Sequence, residues 1–382
     1  MRTINVALCV LAALICAPLV AGAIRMVTIR MQMNDFVAYW AAARLFLAQR
    51  NPYSTEIVRL EVQALHVSAS KALLFHNPPW VLAFFAPLGL LTLRAARLLW
   101  LFLSLALDVF SAVGLWKYFG GGRRTSWIAL LVFLTFIPLA TAEHIGQITP
   151  LILAGTTALL LLLERKQWVL AGMAAVVLGI KPQLMWLVIP AFVLWAIGQR
   201  KFRFLSWAVL TWCVLWSSTL LYDPAAVHFL RDAYGWSIDQ SYGPGGALRL
   251  LFGIRHHWLQ YAPSAPGAIW FGWYWLRNRR DWDWSKQLPL LLIISVATSV
   301  YCGFADFVVC LPAFVALAVR GGYRSGLVLV AWLLVQVAIF EVSAEAAMAL
   351  VSSVGWTCFW WLANSEAHTL SVPDHIGKTT TA

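Results

Sequence analysis

Between residues 78 and 362 the sequence runs through twelve apolar stretches of 13 to 23 residues, at 78–92, 94–116, 125–141, 148–163, 167–180, 183–198, 204–222, 265–277, 288–304, 307–319, 325–340 and 346–362. A thirteenth, Ile4–Ile24, precedes them behind Arg2. A membrane-spanning helix needs about 20 apolar residues, with a range of roughly 17–25. A soluble domain of this length has no use for so many. Hydrophobic residues make up 61% of the chain and charged residues 12%, against about 45–50% and about 25% in soluble proteins. Disorder, a collagen-like fibre and a small disulfide scaffold are excluded. The expected fold is an all-α, polytopic transmembrane bundle of about 12–13 membrane segments.

Charge sets the expected topology. The net charge of +12 suggests nucleic acid in a soluble protein, but in a membrane protein basic residues collect in short cytoplasmic loops. No nucleic-acid partner is expected. Lys117/Arg123/Arg124, Arg165/Lys166, Arg200/Lys201/Arg203, Arg277/Arg279/Arg280 and Arg320/Arg324 are short basic turns. Placing them all in the cytoplasm puts Gln147, Lys181, the 223–257 loop and Asp306 on the outer side. Arg2 suggests a cytoplasmic N-terminus and so an outer 25–77 loop, and the two assignments differ by one crossing. Reading 78–92, which opens on Pro78 and Pro79, as a re-entrant or half-length helix removes the difference, because broken backbone is tolerated where it lines a cavity. The chain is expected to be a multi-pass protein of the inner (plasma) membrane.

Residues 1–364 read as one integral membrane unit, with outer loops at 25–77 and 223–257, followed by a polar, disordered tail at 365–382. Ala21-Gly22-Ala23 mimics a signal-peptidase site, but a retained anchor fits better with the multispan body. Within the first outer loop, Asn34–Gln49 has helical periodicity, with Phe36, Tyr39, Trp40, Ala43 and Leu47 on one side. Too polar to span, it reads as an amphipathic helix at the membrane interface, stopped by Asn51-Pro52-Tyr53. The 22 Trp suit the interface, and aromatic faces also serve sugar sites. Cys9, Cys16, Cys213, Cys302, Cys310 and Cys358 lie in apolar runs without Cys-x-x-Cys spacing, so they read as buried hydrophobes rather than a zinc or disulfide framework.

Polar residues at bilayer depth cost about 2.5–3.5 kcal/mol and point to function. Asp35 is either a first-turn acid favoured by the helix dipole or a carboxylate held at the membrane surface to take a proton. Glu143-His144-Ile145-Gly146-Gln147 lies between Pro138 and Pro150 and is either a plain polar loop or a lip of a shared cavity. Lys181 is either a snorkelling cation or an ammonium that holds a phosphate as a point charge. Asp306 is either a helix-start acid or a ligand. Walker A, Rossmann and G-x-S-x-G patterns are absent from the sequence, so an activated substrate must come from the membrane or from outside.

The run Asp35-Phe36-x-x-Tyr39-x-x-Ala42-Ala43, then Asn51-Pro52-Tyr53, His76-Asn77-Pro78-Pro79 and Ala86-Pro87-Leu88, resembles glycosyltransferase family 87. Gly146-Gln147-Ile148-Thr149 is similar to that family's Gly-Gln-x-Asn step, with Thr149 in place of Asn. Lys181-Pro182 is similar to its Lys-Pro step. Asp239-Gln240-Ser241 resembles its Asn-Gln-Ser, and Asp306 falls where many members have Tyr-Asp, although Ala305 precedes it here.

The resemblance implies a GT-C fold whose outward-facing cavity is roofed by the first loop. It also implies a polyprenyl-phosphate sugar donor, usually of mannose, and inversion at the anomeric carbon. A glycolipid or glycan would be the acceptor. On this reading Asp35 is the base. Lys181, with Arg249 in reserve, holds the donor phosphate. Tyr39, Asn77, His144, Gln147, Gln240 and Asp306 are substrate contacts. The chemistry calls for no metal and no cofactor. The rival class is a transporter or flippase for a lipid-linked or polyol substrate, which predicts paired halves; the sequence shows no internal repeat. A polymerase or ligase of surface polysaccharide shares the same donor type and outer site.

Overall fold

The computed structural model describes residues 34–65, 73–228 and 243–321, with 331–332, 334–335, 355 and 360. The Ile4–Ile24 segment, Asp239, Gln240, most of the last two apolar stretches and the tail lie outside the described residues. Every regular element among the described residues is helical.

The first loop supplies α1 (Asn34–Leu47) and α2 (Glu56–Leu65), followed by a 3-10 turn Pro79–Val81 that runs into α3 (Leu82–Gly89). The expected one-sided apolar face of α1 needs correction. Phe36 through Ala43, Leu45 and Phe46 are all buried, not one face alone. The reason is that protein covers both sides. Tyr39 packs against Phe75 and Phe85, Phe36 stacks on Trp100, and Phe46 meets Tyr222. Gly89 of α3 comes so close that an added Cβ would lie 3.0 Å from the Ala43 Cβ.

Among the described residues, two helices are long and apolar enough to cross a bilayer, α4 (Leu93–Tyr118) and, later, Phe202–Tyr222. At 1.5 Å per residue they measure about 39 and about 31 Å. Between them come α5 (Trp127–Thr135) and α6 (Ile137–Ile145), which meet at a 64° bend and are together long and apolar enough for a broken span or a re-entrant loop. Pro138 in the first turn of α6 explains why the ladder breaks at Phe136. Then follow α7 (Thr149–Glu164), α8 (Trp168–Ala175) running into a 3-10 segment Val176–Ile180, α9 (Val188–Gly198) and α10 (Phe202–Tyr222). The remainder includes α11 (Gly243–Phe252), α12 (Ser264–Asn278), α13 (Trp284–Ala297), the 3-10 segment Phe304–Cys310 and α14 (Leu311–Gly321).

The structure therefore differs from a row of uniform spans. Several of its helices run only 8 to 16 residues, and within 125–141 and 167–180 a proline and a switch to 3-10 geometry break the run. The Pro79–Gly89 helix, about 16 Å long, is too short to cross alone. Small residues let the pieces pack closely: a Cβ on Gly114 would meet Thr157, and one on Gly172 would lie 2.4 Å from the Phe204 carbonyl oxygen. By contrast, α10 buries only Phe204 and Thr219 and presents Val209, Leu210, Trp212 and Val214 outward, as a lipid-facing helix does.

Candidate active site

Five parts of the helical framework converge on one cavity of about 330 Å³. They are the first turn of α1, the segment Leu73–Pro78, the α6–α7 turn, and a pair of breaks at Lys181 and before Phe304. Asp35, Tyr39, Asn77, Gln147, Lys181 and Asp306 all line it.

Gln147 organises one wall. It follows Gly146, which ends α6 in the left-handed region at φ 69°, a conformation glycine adopts without a Cβ penalty. The Gln147 Oε1 accepts the Tyr39 hydroxyl at 2.5 Å and the Ile148 N–H at 2.9 Å. Because that oxygen holds two donors, the amide nitrogen points the other way and donates to Asp35 Oδ2 at 2.6 Å. Asp35 is half-buried, so its carboxylate is oriented yet reachable from the cavity. Its first-turn position in α1 also lets the helix dipole favour its negative form. Burial, and after it the charges of Asp35 and Asp306, push the Tyr39 phenol well above its usual value. Tyr39 thus keeps its proton and serves as a fixed hydrogen-bond donor.

The opposite wall is an ion pair. Lys181 ends the Val176–Ile180 segment, and its Nζ lies 2.6 Å from Asp306 Oδ1. Lys181 is 8% exposed and Asp306 2%, so Lys181 does not snorkel to the interface. Asp306 is a helix-start acid that also carries the ion pair. Its Oδ2 accepts the Gly303 N–H at 2.8 Å at the start of the 3-10 segment, while its Oδ1 holds Lys181. Thr149 donates to the Ala305 carbonyl at 3.4 Å, which ties the Gln147 turn to the Asp306 segment.

Other residues named from the sequence fall elsewhere. Arg249 is 1% exposed and does not line the cavity. Its guanidinium donates to the Ile254 carbonyl at 2.9 and 3.1 Å and to Gln260 Oε1 at 3.3 Å. Gln260 in turn donates to the Val300 carbonyl, so Arg249 braces the chain that leads into Tyr301. His144 is not among the lining residues, although Thr141 and Ile145 of the same helix are. Glu143 faces away from the cavity, where Ser104 donates to its Oε2 at 2.6 Å. Gln240 lies outside the described residues.

Sequence reasoning missed three residues. His76 and Tyr301 line the cavity; His76 stands in the His76-Asn77-Pro78-Pro79 run without a role assigned to it, and Tyr301 lies shortly before Asp306. Glu61 had no such signal. It is 1% exposed on α2, and its Oε2 accepts the Leu73 N–H at 2.9 Å. That bond pins the Leu73–Leu74 stretch, which forms part of the cavity wall. Burial pushes the Glu61 carboxyl up to about 7, with a further rise from Asp35, opposed by the Leu73 bond.

A family model described as glycosyltransferase family 87 matches residues 75–285, more than half of the chain. No curated protein and no solved structure matches.

Proposed function

The chain belongs to glycosyltransferase family 87, and from that membership we propose that this membrane glycosyltransferase moves a hexose, with mannose favoured, from a polyprenyl-phosphate sugar to a glycolipid or glycan acceptor. Transfer inverts the anomeric centre and takes place at the outer face of the plasma membrane. Membership also separates a transferase from the transporter class.

The observation that carries this reading is one cavity holding a reachable carboxylate, Asp35, and a buried ammonium, Lys181. The acceptor hydroxyl oxygen attacks C1 of the sugar on the face opposite the phosphate. The new C–O bond forms as the bond from C1 to the phosphate oxygen breaks, and its electron pair leaves with the phosphate. The acceptor proton passes to Asp35, whose position Gln147 fixes. Such base catalysis contributes about 10²–10⁴-fold. The leaving phosphate gains a negative charge during the step, so a fixed cation stabilises the transition state more than the bound donor. Lys181 supplies that cation. Tyr39, Asn77 and Gln147 line the space for the sugar.

The test is a transfer assay on the purified full-length protein with a panel of polyprenyl-phosphate sugars. Transfer from a single-sugar lipid donor, with mannose preferred, supports the reading. Transfer only from a lipid-linked oligosaccharide would instead make the protein a polysaccharide polymerase or ligase.

A further inference from the structure

The Lys181–Asp306 pair has a consequence for the order of events in the cavity. Asp306 cannot follow a moving partner, because its second carboxylate oxygen is held by the Gly303 N–H at 2.8 Å and the whole residue is 2% exposed. Lys181 can move, since its charge sits on a flexible four-carbon stem. A phosphate that approaches Lys181 while Asp306 stays bound brings a second anion to the same buried cation, and like charges at one buried site disfavour each other. Building on the donor-phosphate reading above, we infer that Asp306 is the internal counter-ion of Lys181, which a prenyl-phosphate group displaces, rather than a contact that helps to bind the substrate.

This exchange follows the charge of the ligand. The donor is a phosphodiester with one negative charge. The product, a prenyl monophosphate, carries up to two. The contest for Lys181 therefore tilts toward the phosphate as the sugar leaves. When the product departs, Asp306 recovers the ammonium, so the buried cation is not left alone and the product is helped out. Asp306 thereby limits product retention at the expense of donor affinity.

Farnesyl monophosphate is a suitable probe, with binding measured by calorimetry on the full-length protein in detergent. Lys181→Met should weaken its binding by roughly 10- to 150-fold, the usual weight of a charge-assisted contact. Asp306→Asn, which retains a side-chain oxygen for Gly303 but removes the competing charge, should tighten binding about tenfold or more and make transfer more sensitive to inhibition by added farnesyl phosphate. Weaker or unchanged binding in Asp306→Asn, alongside the expected loss in Lys181→Met, overturns the counter-ion role and leaves the donor-phosphate reading standing. Unchanged binding in Lys181→Met overturns both. Should Asp306→Asn not fold, cryo-electron microscopy of the unaltered protein with farnesyl phosphate decides. The exchange requires Lys181 Nζ to lie more than 4 Å from Asp306 and against the phosphate, and a retained 2.6 Å pair beside bound phosphate refutes it.

Discussion

Gln147 donates its amide to Asp35 Oδ2 at 2.6 Å across 112 residues of sequence, and its own oxygen is held by Tyr39 and Ile148. The Asp35 carboxylate is therefore aimed by an amide whose orientation two other donors dictate. Asp35 lies before the matched family segment, which begins at residue 75, while Gln147 lies inside it. This hydrogen bond links the two parts of the site.

Asp35→Asn is expected to fold and to lose about 10²–10⁴-fold in turnover. Asn is nearly isosteric and still suits a helix start, so a merely structural Asp35 would tolerate the change. It cannot accept a proton, so a base would not. Steady-state kinetics on the purified variant decides, with kcat falling and KM little changed. Turnover close to that of the unaltered protein would remove Asp35 from the chemistry.

Gln147 gives a prediction of opposite kind. Gln147→Glu sets a second carboxylate beside Asp35, and a like charge holds a proton on its neighbour. The acid limb of the pH–rate profile should move to higher pH, by about a unit or more. Gln147→Leu should instead leave the buried Tyr39 hydroxyl and Ile148 N–H without their acceptor, at about 1–3 kcal/mol for each, and lower the thermal midpoint. An unmoved acid limb in Gln147→Glu would show that Asp35 is not the group that limits the rate at low pH.

Much of this site was legible in the sequence because polar residues at membrane depth are rare. Asp35, Gln147, Lys181 and Asp306 stand out against apolar surroundings, Tyr39 and Asn77 came from the family resemblance, and all six line the cavity. Their pairing was not legible. Lys181 and Asp306 are 125 residues apart, and nothing local to either announces the other. Glu61 was missed because its partner is a backbone N–H, which leaves no side-chain signature. Arg249 stood out as a charge, but only the fold shows its fork spent on Ile254 and Gln260. Helix breaks within the apolar stretches were hidden for a related reason. Apolar composition is the same whether a stretch forms one long helix or two short pieces around a proline.

The close approach of α8 and α10 sets up a contrast between two glycines. A Cβ on Gly172 would lie 2.4 Å from the Phe204 carbonyl and 3.0 Å from the Ala208 nitrogen, both backbone atoms that cannot step aside. Gly172→Ala should cost about 1–3 kcal/mol through overpacking. Gly198, at the end of α9, has nothing within 4 Å of the same position. Gly198→Ala should be neutral, or stabilising by about 0.4–1 kcal/mol through lower unfolded-state entropy. Thermal unfolding of the two variants side by side tests this, and equal midpoints would mean that the helices part more readily than their packing implies.

The last prediction concerns pH and the outer wall of the cavity. Burial raises the Glu61 carboxyl from the usual range to about 7, so the folded protein holds a proton there that the unfolded chain releases near pH 4.3. Between those values the native state binds more protons than the unfolded state, and stability must fall as pH rises through the window. Glu61→Gln retains an oxygen for the Leu73 N–H and cannot titrate. Its thermal midpoint should therefore drop less than that of the unaltered protein between pH 4.5 and pH 7.5. Asp35 contributes to the upward push, so Asp35→Asn should shift the window to lower pH. Parallel midpoint-against-pH curves for the Glu61→Gln variant and the unaltered protein would show that Glu61 does not carry this titration, and the latch on Leu73 would then be indifferent to pH.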